Sequence, residues 1–103
     1  QYAIEAVFLG EGSGTLELVD STIRTNTVPG NGGGIYVATG GEVTMDNSTV
    51  SDNTTTSSGD GGGIYLGAGT LTMTDSVIRG NTAGDDAGGL FIDTSGAATC
   101  IIL

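Results

Sequence analysis

Histidine, lysine and tryptophan are absent from this 103-residue chain, which holds one cysteine, one proline and two arginines. Each scarcity removes a class of chemistry. Without His there is no imidazole acid or base and no His-ligated metal. Without Lys there is no Schiff base. A lone Cys cannot close an internal disulfide. Two cations against twelve acids leave a net charge of −10, which excludes nucleic acid and anionic membrane surfaces as partners. No apolar run approaches the ~18–20 residues of a membrane-crossing helix, so no membrane insertion is expected. The chain starts at Gln1 and shows no charged-then-apolar leader, which reads as a processed or excised segment.

What is present is glycine, at 20 positions, with Thr, Ser and Asp around a 37% hydrophobic content. That is too apolar for a disordered acidic chain, and the glycines lack the three-residue period of collagen. Such a composition calls for a search for repeats, and three blocks recur. Gly14-Thr15-Leu16-Glu17-Leu18 returns as Gly41-Glu42-Val43-Thr44-Met45, Gly69-Thr70-Leu71-Thr72-Met73 and Gly96-Ala97-Ala98-Thr99-Cys100, at spacings of 27, 28 and 27. Ser21-Thr22-Ile23-Arg24-Thr25-Asn26 returns at Ser48 and at Ser76. Gly33-Gly34-Ile35-Tyr36-Val37 returns at Gly62 and Gly88, with an early copy in Ala6-Val7-Phe8-Leu9.

Within each block, apolar and polar residues alternate, as in a strand with one buried face. No stretch keeps a helical apolar stripe, and Gly and Thr penalise helix. Three strand-like pieces in about 27 residues are too many for one hairpin per unit. The geometry left is an all-β, parallel β-helix (β-solenoid) with three short strands per coil. Its rungs lie ~4.8 Å apart. About 3.5 coils form a single domain over 1–103, with coils near 6–33, 34–62, 63–88 and a partial 89–103.

Stacking turns equivalent positions into columns. The expected interior columns are Leu16, Val43, Leu71 and Ala98; Leu18, Met45, Met73 and Cys100; Ile23, Val50 and Ile78; and Ile35, Ile64 and Leu90. Asn26, Asn53 and Asn81 form a turn ladder, where Asn tolerates left-handed backbone and its amides bond from coil to coil. Gly33, Gly62 and Gly88 supply positive φ or close approach at another corner. The segments 27–32, 54–61 and 82–87 differ in length, so this is the expected mobile edge.

The alternating Gly-Gly-x-Ile and apolar-x-x-Asn motifs resemble the repeats of polymorphic outer membrane proteins. More broadly, residues 6–100 are similar to right-handed parallel β-helix repeat proteins of bacterial and archaeal surfaces. The resemblance implies a right-handed coil in a secreted or surface-displayed passenger of a prokaryote, used for adhesion or as a stalk. Host or matrix glycans and proteins would be its partners.

Candidate sites follow from the columns. Phe8, Tyr36, Tyr65 and Phe91 share an outward register, which suits a sugar-stacking strip or a self-stacking ladder that stabilises the sheet. Asn31, Asp60 and Asp86 share one turn register and Asp20, Asn47 and Asp75 another. Their oxygens make Asp60, Asp86, Asp20 and Asp75 candidate Ca²⁺ ligands, with Asx-turn capping as the metal-free alternative. Gly84-Asp85-Asp86 has the paired acids of a polysaccharide hydrolase but none of the accompanying His, so no enzyme and no cofactor are expected. Arg24 and Arg79 are equivalent, two rungs apart and solvated. Cys100-Ile101-Ile102-Leu103 matches a prenylation pattern, but its rung makes Cys100 a buried apolar filler. Asn47 and Asn53 open glycosylation sequons.

Repeat proteins cap their ends with polar residues, and no cap is legible here. Tyr2 and Ile4 at one end, and Ala98, Cys100, Ile101, Ile102 and Leu103 at the other, read as adhesive strands. The expected function is therefore a structural, extracellular subunit that pairs with itself head to tail as a filament. A segment of a longer surface adhesin is the rival expectation, and a carbohydrate-binding or carbohydrate-degrading β-helix the third.

Overall fold

Strands only two to five residues long, set between turns of small polar residues, cannot pair with their sequence neighbours. They can pair with their own repeats, one coil away. The computed structural model shows that arrangement. It describes residues 7–9 (backbone alone), 14–93 and 97–103, so Tyr2, Ile4 and the Phe8 ring lie outside the described residues.

The first coil carries β1 (Val7–Leu9), β2 (Thr15–Val19), β3 (Thr22–Arg24) and β4 (Thr27–Val28). The second carries β5 (Ile35–Val37), β6 (Glu42–Asp46), β7 (Thr49–Ser51) and β8 (Thr54–Thr55). The third has β9 (Ile64–Leu66), β10 (Thr70–Thr74) and β11 (Val77–Arg79), and the fourth begins with β12 (Leu90–Ile92) and β13 (Thr99–Ile102). Every pairing is parallel and joins equivalent strands. Sheet A runs β1-β5-β9-β12, sheet B β2-β6-β10-β13, sheet C β3-β7-β11 and sheet D β4-β8. The fold is thus an all-β solenoid of stacked parallel coils, as the repeat predicts.

The interior is a file of apolar columns. Ile23 and Val50 stack beneath Ile78, Ile35 and Ile64 beneath Leu90, and Leu18, Met45 and Met73 on one another. All but Ile78 and Leu90, which lie near the upper end, are buried. Bending the chain around this narrow core needs left-handed residues, and three corners per coil supply them. Asp20, Asn47 and Asp75 have φ of 52°, 50° and 50°. Thr25, Asp52 and Gly80 have 63°, 56° and 65°, and Gly32, Gly61 and Ala87 have 74°, 66° and 58°.

Four expectations are corrected. First, the left-handed residue at the Asn corner is the one before Asn26, Asn53 and Asn81, and the Asn itself turns inward. Second, of the two roles open to Gly33, Gly62 and Gly88, positive φ belongs instead to the residues before them, Gly32, Gly61 and Ala87, and close approach is the role they fill. Gly33 and Gly62 are small because the next coil passes close by, so that a Cβ on Gly62 would meet the backbone of Thr82 and Gly88, whereas a Cβ on Gly88 would meet the Asn81 carbonyl of its own coil. Third, β4 and β8 make a short fourth strand inside the supposed mobile edge, where Thr55 is buried and its hydroxyl donates to the Gly59 carbonyl at 2.8 Å.

Fourth, the last rung is displaced. Cys100 pairs with Leu71, and Ile102 with Met73. Ala98 therefore does not stand on Leu71, and Cys100 does not stand on Met73. The column read as 18, 45, 73, 100 is 18, 45, 73, 102.

Candidate functional site

A solenoid offers three kinds of surface: ladders along its flanks, loops at its corners, and its ends. The Asn ladder is built first from hydrogen-bond demand. A chain that turns inward exposes N–H groups to a dry core, and a primary amide can satisfy them. The main-chain N–H and the Nδ2 of Asn26 both donate to Asn53 Oδ1 at 3.0 Å, and those of Asn53 to Asn81 Oδ1 at 2.9 and 3.1 Å. Asn53 Nδ2 also reaches the Ile23 carbonyl, and Asn81 Nδ2 the Val50 carbonyl. Asn53 is 0% exposed, so the sequon there is closed to a glycan in the folded coil. Asn47 is exposed and gives its Nδ2 to Asp20 Oδ1 at 2.7 Å.

A second polar ladder is absent from the sequence reading. Ser21 N–H donates to Ser48 Oγ and Ser48 N–H to Ser76 Oγ, both at 3.1 Å. Each Oγ turns back to the carbonyl two residues earlier, on Val19, Asp46 and Thr74. The signal was there in a Ser recurring at 27 and 28 residues.

The aromatic register points outward, as strand parity requires. Tyr36 stacks on Tyr65 with centroids 5.1 Å apart and planes at 5°, and Tyr65 on Phe91 at 5.2 Å and 7°. Both faces of Tyr65 are therefore occupied by neighbouring rings, and the residue is only 9% exposed. A sugar would have to displace a ring to stack there. Tyr65 Oη donates to Asp93 Oδ2 at 2.8 Å. Burial first, then that bond and the charge of Asp93, push the phenol from 10 up to about 12.

Of the four acids suited to a cation, the structure brings Asp60 and Asp86 together and adds Asp85, with one oxygen from each within 4.8 Å of the others. Asp20 and Asp75 lie apart from this group, on either side of Asn47 in their own corner column. The three clustered carboxylates could hold a divalent ion, and the Asx pattern engages one of their oxygens, Asp60 Oδ1. Asp60 N–H donates to Asn31 Oδ1, and Asp86 N–H to Asp60 Oδ1, at 2.8 and 2.9 Å. Arg24 and Arg79 are exposed on either side of Ser51 in sheet C.

The upper end is where apolar surface accumulates. Ile101 is 43% exposed, Ile102 67% and Leu103 75%. Cys100 is half buried instead of fully buried, and desolvation raises its thiol pKa. Ala98 is likewise half buried against the core. Parallel single-residue ladders, left-handed corners and an uncovered apolar rung together describe one architecture, and a family model for the right-handed beta helix region matches residues 7–102. The chain belongs to the right-handed β-helix family. No curated protein and no solved structure gave a match. Members of a β-helix family include enzymes and structural proteins, so the fold alone assigns no chemistry.

Proposed function

We propose that this β-helix protein is a non-enzymatic structural element, extracellular or on a prokaryotic cell surface, that works by stacking its end coils onto another coil of the same kind. The observation that supports this most is the uncovered last rung. Met45 and Met73 are roofed by the coil above, whereas Ile102, in the same column, is 67% exposed. Uncapped strand edges above an apolar interior recruit further strands. Supplied by a second copy, that contact is heterologous and propagates as a filament. The residues argue against the alternatives: no His serves the paired acids, and both faces of Tyr65, at the centre of the aromatic ladder, are spent on Tyr36 and Phe91.

The shape of the upper end favours a second reading, a stalk within a longer surface protein of the kind the polymorphic outer membrane repeats suggest. Among the described residues the lower end is flat, since β1 to β4 all lie in the first coil. The upper end is stepped, since sheets A and B rise one rung above sheet C. A flat end set on a stepped one leaves half a coil unfilled, and a continuing polypeptide would fill it.

Electron microscopy of the purified chain at micromolar concentration tests the assembly. Unbranched fibres of uniform width are expected, and separate particles of single-chain size would contradict it. The mass of the intact natural polypeptide separates the suppliers: near 10.1 kDa favours copies, and a much larger value favours continuing coils.

A further inference from the structure

The aromatic ladder on sheet A sets two phenols side by side. Tyr36 and Tyr65 are direct strand partners, and their rings lie nearly parallel, with centroids 5.1 Å apart and planes at 5°. Growing from paired positions, the rings are related by little more than a shift of one rung. The carbon ortho to each hydroxyl therefore faces its counterpart at about the strand spacing of 4.8 Å. The ring on the other face of Tyr65 is Phe91, stacked at 5.2 Å and 7°, and it has no hydroxyl. Among the described rings, phenol chemistry at Tyr65 is thus directed to Tyr36 alone.

A separate contact provides for the proton. Tyr65 Oη donates to Asp93 Oδ2 at 2.8 Å, and with its pKa pushed up to about 12 the phenol is protonated at neutral pH. Taking an electron from a protonated phenol turns it into a strong acid. The electron therefore leaves readily only where a base receives the proton at the same moment. Asp93 is such a base, already within hydrogen-bond reach. Tyr65 is only 9% exposed, which shields a radical formed there from solutes, while the half-buried Tyr36 gives an oxidant access to the stack.

We propose that Tyr36 and Tyr65 form an oxidative cross-linking site, at which a peroxidase-type one-electron oxidant driven by hydrogen peroxide joins the two rings through their ortho carbons. Each phenol gives up one electron and its hydroxyl proton, and the proton of Tyr65 passes to Asp93. The two phenoxyl radicals form one carbon–carbon bond. The hydrogen on each joined carbon then moves to the oxygen of its own ring, restoring both phenols. One hydrogen peroxide takes up the two electrons and two protons and leaves as two waters. The product ties the second coil to the third, a covalent brace that a chain with one cysteine cannot make by disulfide. The site lies on the flank of the solenoid and is independent of what stacks on the end coils.

The test uses the full chain carrying Tyr2→Phe, which leaves Tyr36 and Tyr65 as its only tyrosines. The folded chain, dilute, is treated with a haem peroxidase and hydrogen peroxide and then cleaved after Asp and Glu, which separates Tyr36 on fragment 21–42 from Tyr65 on fragment 61–75. Dityrosine fluorescence is expected from a species with the mass of one chain. The two fragments should be recovered joined, lighter by two hydrogen atoms than their sum. Tyr36→Phe or Tyr65→Phe should abolish the product. Asp93→Asn keeps the stacked rings and removes the base, so it should slow cross-linking at neutral pH at least about tenfold. No joined fragments, joining only between chains, or an equal yield from the chain in denaturing urea would overturn the site. An unchanged rate in Asp93→Asn would overturn the role of Asp93 as proton acceptor.

Discussion

Asn53 shows how much one side chain carries in this fold. It is sealed from water, gives its amide to two acceptors, and takes two donors from Asn26. Truncation leaves several buried groups without partners, each costing about 1–3 kcal/mol. Asn53→Ala should therefore lower unfolding stability by at least about 2 kcal/mol in a denaturant titration, while Asn47→Ala, on the exposed corner, should cost under about 1 kcal/mol. Tyr65 gives a pH signature. Its folded pKa, about 12, lies above the ordinary 10, so the native state binds the proton more tightly than the unfolded chain does. The stabilisation is complete below pH ~10 and fades as pH rises towards ~12. Absorbance titration should place one phenol near 12, and Asp93→Asn should bring it down. The sequence revealed the Asn column because Asn recurs. It hid the residues that make the turn, because the left-handed site is occupied in turn by Thr25, Asp52 and Gly80, three types with no shared signature.

At the level of the strand, register is the informative quantity. A slip of one residue would send every side chain to the wrong face, and alternation in the sequence forbids it. A slip of two preserves the alternation, so the pattern does not distinguish Cys100 over Met73 from Cys100 over Leu71. Alignment of Gly96 with Gly69 suggested the first, and the structure has the second. In the earlier coils no such ambiguity arose, since Leu16-x-Leu18, Val43-x-Met45 and Leu71-x-Met73 give two large residues to match, whereas Ala97-Ala98 gives none. A disulfide scan reads the register directly. Under mild oxidation Leu71→Cys should cross-link to Cys100 and lose both thiols to titration, because directly paired residues lie within disulfide reach. Met73→Cys should stay reduced.

Across the whole molecule, the fold was legible because a solenoid repeats its information with every coil, and one weak copy is corrected by the others. Function was less legible, because the end of a stack is defined by what the next coil would contribute and not by any repeated motif. The net charge of −10 opposes contact between copies, so assembly should strengthen as salt shortens the screening length from about 10 Å at 0.1 M to about 3 Å at 1 M. The most direct test of coil-on-coil stacking is sedimentation velocity of the chain and of Ile102→Asp, over a range of concentrations at low and high salt. Because Ile102 is exposed in the isolated chain, the variant should fold normally and remain small under every condition. The unaltered chain should sediment progressively faster as concentration and salt rise. A single slow boundary at the chain mass for both proteins, unchanged up to high concentration in 1 M salt, would contradict the account.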